Sequence, residues 1–130
     1  MSPLPDDVRA LADGVNYAHV ATLLPDGAPH TVPVWIAVRD GRLAFLTDPA
    51  SRKARNLDRD PRTAISIADH AQPFSMAEIR GRASERLEGD EAWAIIDRMS
   101  HRYLGQPYPL RSGRVVYLIE PEQAWARNYA

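Results

Sequence analysis

Cysteine is absent from this 130-residue chain. That removes disulfides, thiolate metal ligands and a cysteine nucleophile together. An excess of either charge is missing too, since 16 basic and 17 acidic residues leave a formal net charge of -1. A general nucleic-acid binder needs a clearly basic surface, so that partner class is disfavoured. No apolar run is long enough to cross a bilayer. The opening Met1-Ser2-Pro3-Leu4-Pro5-Asp6-Asp7 has neither the basic flank nor the apolar segment of a secretory signal. A cytoplasmic protein with no membrane partner is the expectation. Neither common nucleotide-binding pattern occurs: there is no Gly-Lys-Ser/Thr phosphate loop and no Gly-x-Gly-x-x-Gly. The histidines, His19, His30, His70 and His101, are far apart without His-x-His or His-Glu-x-x-His spacing, so no metal site is expected. A Ser-His-Asp constellation is supported by nothing beyond the presence of those residue types.

What is present is ordinary globular composition, 45% hydrophobic and 25% charged, in a length that suits one domain over residues 1–130. Asp6 or Asp7 is placed to cap a first helix whose apolar positions are Val8, Leu11, Ala12 and Val15. Residues 17–24 read as a strand closed by the turn Pro25-Asp26-Gly27. A second strand over residues 30–39 alternates Val32, Val34, Ile36 and Val38 against Thr31, Pro33, Trp35 and Ala37. Pro33 has no N–H to give a ladder, so it marks an edge or a bulge. Asp40-Gly41 reads as a hairpin turn into a strand over 42–47. Further strands are expected over 63–69, 75–86 and from Val115 onward. An amphipathic helix over 91–103 carries Ala92, Ile96, Met99 and Tyr103 on one stripe. About six strands and three helices, mostly joined by short turns, indicate a mainly β protein: an antiparallel sheet closing into a small barrel with flanking helices.

The stretch Asp48-Pro49-Ala50-Ser51-Arg52-Lys53-Ala54-Arg55-Asn56-Leu57 is the most informative in the chain. Asp48 or Ser51 can cap a short helix, and Pro49 suits a first helical position. Arg52, Lys53 and Arg55 then crowd the positive end of that helix, where cations are unfavourable unless an anion offsets them. The competing reading is a solvated basic face. Among the tryptophans, Trp93 reads as packing beside the helix stripe, whereas Trp35, next to Pro33, suits either packing or the wall of a flat pocket. Trp125 lies in a terminal segment whose order depends on docking, on this subunit or on another. Tyr108, His101 and Arg80 are of types able to donate a proton, and the sequence ranks none of them.

Three blocks together resemble the pyridoxamine 5'-phosphate oxidase-like split β-barrel superfamily, and within it the small reductases that use the deazaflavin coenzyme F420. They are His19-Val20-Ala21-Thr22-Leu23 with Asp26-Gly27, Val32-Pro33-Val34-Trp35 with Asp40-Gly41, and Ser51-Arg52-Lys53-Ala54-Arg55-Asn56-Leu57 leading to Asp60-Pro61-Arg62. The last is the most specific, and the likeness spans about residues 8 to 125. The resemblance implies a six-stranded antiparallel split barrel, a homodimer, and a cofactor groove between subunits. It implies that Ser51, Arg52 and Lys53 hold the cofactor phosphate, with Arg55 and Asn56 either contacting the cofactor tail or stabilising the helix. Pro33, Val34 and Trp35 would lie against the ring system, with Thr47 beside it. The chain ends in Trp125-Ala126-Arg127-Asn128 and lacks an Arg-x-His-like substrate-phosphate motif, a departure from the oxidase that names the superfamily. The implied activity is hydride transfer between F420 and a small organic acceptor. FMN, with its own tricyclic ring and phosphate, is the alternative cofactor, and a non-catalytic flavin- or haem-binding module is the alternative of another class.

Overall fold

The computed structural model describes residues 4–129; the first three residues of the N-terminal stretch weighed above for a signal, and Ala130, lie outside them. In chain order the elements are α1 (Asp6–Asp13), β1 (Tyr17–Leu23), β2 (Pro29–Trp35), β3 (Ala37–Arg39), β4 (Arg42–Thr47), α2 (Arg52–Arg59), β5 (Arg62–Ala68), β6 (Ser75–Leu87), α3 (Gly89–Leu104) and β7 (Val115–Asn128). The seven strands form one antiparallel sheet in the order β2-β1-β5-β6-β7-β4-β3.

That order contains the closure of the barrel. β2 and β3 stand at opposite edges of the sheet, yet only Ile36 separates them in the chain. One bent strand therefore belongs to both edges, which brings them together as the sheet curls. The strand expected over 30–39 is this pair; counted as one, it makes the barrel six-stranded. The bend has an identifiable cause. Ile36 is fully buried, its N–H donates to the Tyr103 hydroxyl at 3.2 Å, and its carbonyl accepts from the Arg102 guanidinium. Both partners come from α3, so the backbone at this corner is satisfied by side chains and not by a neighbouring strand.

Two apolar layers hold the structure. Inside the curl, Val20, Leu43, Phe45, Ile65, Ile67, Ile79, Tyr117 and Ile119 pack with Val8, Leu11 and Ala12 of α1 and with Ala54 and Leu57 of α2. Outside it, α3 lays Ala92, Ile95, Ile96 and Met99 on Ala44, Val116 and Leu118. Residues 115–119 of β7 are consequently buried on both faces, which is why that part reads as a continuous apolar run.

Some local expectations need correction. The α1 N-cap is Pro5, with no side-chain cap; Asp7 only accepts from the adjacent Val8 N–H at 2.9 Å. Val15 falls beyond the end of that helix and is 49% exposed. Pro49 precedes α2, whose N-cap is Ser51, and so does not occupy a first helical position. Of the two dockings open to the terminal segment around Trp125, the structure shows the one on this subunit: the segment continues β7 and pairs with β6, Trp125 opposite Glu78.

Candidate functional site

The Asp40-Gly41 turn starts a hairpin that zips only part of the way. β3 and β4 pair through Arg39↔Arg42, Val38↔Leu43 and Ala37↔Ala44. The same register carried past Ile36 would set Trp35 opposite Leu46, Val34 opposite Thr47 and Pro33 opposite Asp48. Those pairs do not form; β2 pairs with β1 instead. The same six residues line an open cleft of about 460 Å³, together with Tyr17, Ser51, Lys53, Tyr108 and Arg114. The cleft is therefore the split between two strands that diverge from the Ile36 corner. Its size falls within the roughly 300–1,000 Å³ of small-molecule sites.

One wall is apolar and aromatic. Trp35 stacks on Tyr103 with ring centroids 5.0 Å apart and planes 9° from parallel, and meets Tyr108 edge-on at 5.8 Å. Trp35 is thus fixed by packing on one face, a geometry that presents a rigid, flat side chain to a ligand at little further entropic cost. Trp93 does not line the cleft; it lies under the Arg111 guanidinium, 4.4 Å from the ring centroid.

The other end is cationic. β4 ends at Thr47, whose hydroxyl shares a 2.8 Å hydrogen bond with the Ser51 hydroxyl. Asp48 Oδ1 accepts from the Ala50 N–H at 2.8 Å and tightens the turn, and Ser51 Oγ then accepts from the Ala54 N–H at 3.2 Å as the N-cap of α2. Lys53 sits in the first turn beside Arg114, the residue just before β7. Burial holds the Lys53 pKa below the usual lysine value, the Arg114 charge lowers it further, and Asp48 partly opposes both. Arg114 is also 3.7 Å from Asp48. Two cations against one carboxylate at a helix start is an arrangement that an anion would relieve.

Of the residues proposed from sequence for cofactor binding, Pro33, Val34, Trp35, Thr47, Ser51 and Lys53 come together here. Arg52, Arg55 and Asn56 are not part of this lining. Asn56 is fully buried; it donates to Thr22 Oγ1 on β1 at 3.0 Å and accepts from Arg52 Nε at 3.1 Å, tying α2 to the barrel. Arg55 is exposed on α2. Tyr108 lines the cleft; His101 does not, and Arg80 lines a separate groove with Arg62 and Glu122. Arg114 was missed, although its place immediately before Val115, the partner of Thr47, puts it at the same end of the barrel as the β4 turn. Tyr17 and Leu46 were missed as cleft residues too, because strand alternation does not show which ladder opens. Among the described residues, no group of three or more His, Cys, Asp or Glu is placed to hold a metal ion, and no helix is long and apolar enough to cross a membrane.

A curled antiparallel sheet with a ligand-sized split beside a cationic helix start is a split-barrel arrangement. The family model described as pyridoxamine 5'-phosphate oxidase matches residues 4–128, and the chain belongs to that family. Among solved structures, one named F420 reductase is 27% identical, with a TM-score of 0.80 over 94% of this chain and 98% of its own. A conserved hypothetical protein from Mycobacterium tuberculosis is 28% identical, with a TM-score of 0.75 over 98% and 90%. General Stress Protein 26 from Bacillus anthracis, at 18% identity and a TM-score of 0.73 over 93% and 91%, shares the fold. No curated protein matches the chain.

Proposed function

We propose that this protein is an F420-dependent oxidoreductase whose cleft holds the deazaflavin ring against Pro33, Val34 and Trp35, with the cofactor phosphate toward Ser51, Lys53 and Arg114. The observation that carries this reading is the unzipped hairpin: a slot with an apolar wall, hydroxyls at Thr47 and Ser51, and two cations at one end. That donor set fits a planar ring bearing an anionic tail. When bound, such a cofactor supplies hydride transfer to or from a small organic acceptor. The chain's own residues orient the ring, exclude water from one face and neutralise the phosphate. Tyr108, which lines the cleft, is our candidate for delivering a proton to an acceptor there. Arg55, exposed one turn along α2, is available to a charged cofactor tail, while Arg52 and Asn56 hold the helix in place.

The likeness to a protein named F420 reductase, at 27% identity over nearly both chains, supports the deazaflavin. The family description, pyridoxamine 5'-phosphate oxidase, favours FMN as the second reading, since the same residues suit its ring and phosphate. The open β2 side of the cleft suits a homodimer in which a partner covers it, and the assignment is to a cytoplasmic enzyme.

Parallel fluorescence titrations with F420 and FMN test the cofactor. F420 is expected to bind more tightly, and Lys53→Ala is expected to weaken it by about 1.5–3 kcal/mol, the scale of a charge-assisted hydrogen bond. Tighter FMN binding would move the protein to the flavin-dependent branch. Unchanged affinity in Lys53→Ala would remove the phosphate from α2.

A further inference from the structure

A second concentration of positive charge lies away from the cleft, where the end of α1, strand β3 and helix α3 meet. A small, partly open pocket of about 160 Å³ is lined there by Asp13, Ala37, Val38, Arg39, Ile95, Arg98, Met99 and Arg102. That is the space of roughly five water molecules. Three guanidiniums face it against one carboxylate. Arg98 and Arg102 are four residues apart on α3, a spacing at which like charges repel, and Arg39 adds a third cation from the facing strand.

The arginines are not consumed by internal partners. Arg39 makes a partly exposed pair with Asp40 at 3.4 Å. Arg98 is exposed and has no hydrogen bond or ion pair among the described residues. Arg102 gives Nη2 to the carbonyls of Ile36 and Ala12, and its Nη1 makes no hydrogen bond or ion pair among the described residues. Guanidinium N–H groups left over at the lining of a pocket are free to hold an anion.

We infer that this pocket binds a small oxyanion of phosphate or sulfate size, held by Arg39, Arg98 and Arg102. Guanidinium forks match tetrahedral oxyanions through paired N–H donors, and a pocket of this small volume suits the free ion. The position has a consequence for the cleft. Arg102 also holds the Ile36 corner, one residue from the Trp35 wall, so an anion on Arg102 acts on the element from which the split diverges.

Because the cleft has its own cations, the test uses Lys53→Ala as the background. Thermal unfolding of the full chain is followed in sodium phosphate and in sodium chloride at matched ionic strength. Phosphate is expected to raise the melting temperature saturably over chloride in Lys53→Ala. Adding Arg98→Gln is expected to weaken the apparent phosphate affinity about tenfold or more, and adding Arg39→Gln, from a different element, is expected to do the same. Arg98 has no partner to lose, so its replacement leaves the fold intact. No phosphate-specific shift in Lys53→Ala, or a shift that neither arginine substitution changes, would overturn the assignment.

Discussion

Two antiparallel ladders of the barrel are interrupted, with opposite results. β6 and β7 stay paired from Ser75↔Asn128 to Leu87↔Val116 across register shifts at Arg80/Gly81 and Ala83/Glu85. β3 and β4 stop at Ala37↔Ala44, and beyond Ile36 the strands separate. The first interruption is a pair of bulges between strands that are held on their outer sides by β5 and β4, so pairing resumes and the irregularity only bends the sheet. The second falls where β2 has been claimed by β1 and nothing restores the ladder. A site forms where a strand changes partners, whereas a defect flanked by intact pairing produces curvature.

That contrast is broken most severely at Gly81. A Cβ there would stand 2.1 Å from the backbone oxygen of Glu120, and β6 has little slack at this point because Gly81 is also paired with Thr63 of β5. Gly81→Ala is expected to cost about 3 kcal/mol or more, the upper range of overpacking, read from the midpoint of urea denaturation at unchanged slope. A wild-type midpoint would mean that the β6–β7 ladder yields easily, and its difference from the open hairpin would vanish.

The open side is tested at its pivot. Tyr103→Phe keeps the stack on Trp35 but removes the hydroxyl that accepts from the Ile36 N–H, leaving a buried donor unpaired at about 2 kcal/mol. Stability is expected to fall by that amount, the Ile36 amide is expected to exchange faster, and ligand affinity at the cleft is expected to drop with it. Loss of stability with full affinity would show that the corner does not govern the split.

Much of this was legible in the chain, and the illegible part has a physical reason. Pro33 announced an edge, Asp40-Gly41 a hairpin, and the block at the start of α2 supplied Ser51 and Lys53 to the cleft lining. Each is a local signal, written within a few residues. The break at Ile36 left no such mark, because strict alternation from Val32 to Val38 continues straight through it; the bend is imposed by Tyr103 and Arg102, more than sixty residues away. Arg114 escaped for the same reason, since only the β4–β7 register brings it beside Lys53. The dual role of β7, buried on both faces, and the docking of Asn56 onto Thr22 are likewise products of tertiary contact. Asn56 reads in sequence as a continuation of the cationic motif and in space as a buried tie.

The smallest expected effect separates support from binding. The Tyr117 hydroxyl, on the fully paired part of β7, donates to Asp58 of α2 at 2.8 Å, and Arg86 holds the same carboxylate at 2.9 Å. Burial, reinforced by the Asp58 bond, pushes the Tyr117 pKa up to about 12. An acid whose pKa is raised by folding contributes stability that is whole below its unfolded value of about 10 and is lost as the pH climbs toward the folded value. Tyr117→Phe is therefore expected to lower stability by about 1 kcal/mol at neutral pH and to flatten the loss between pH 10 and 12, as measured by denaturation across that range. Asp58 keeps Arg86, so α2 stays docked and cofactor affinity is expected to hold. Lys53→Ala should behave in the opposite way. Folding lowers the Lys53 pKa, so the charged side chain opposes folding, and its removal should cost affinity without costing stability. If the two variants instead lose stability and affinity together, α2 is coupled as one unit to both ladders, and the division between a supporting side and a binding side of the barrel fails.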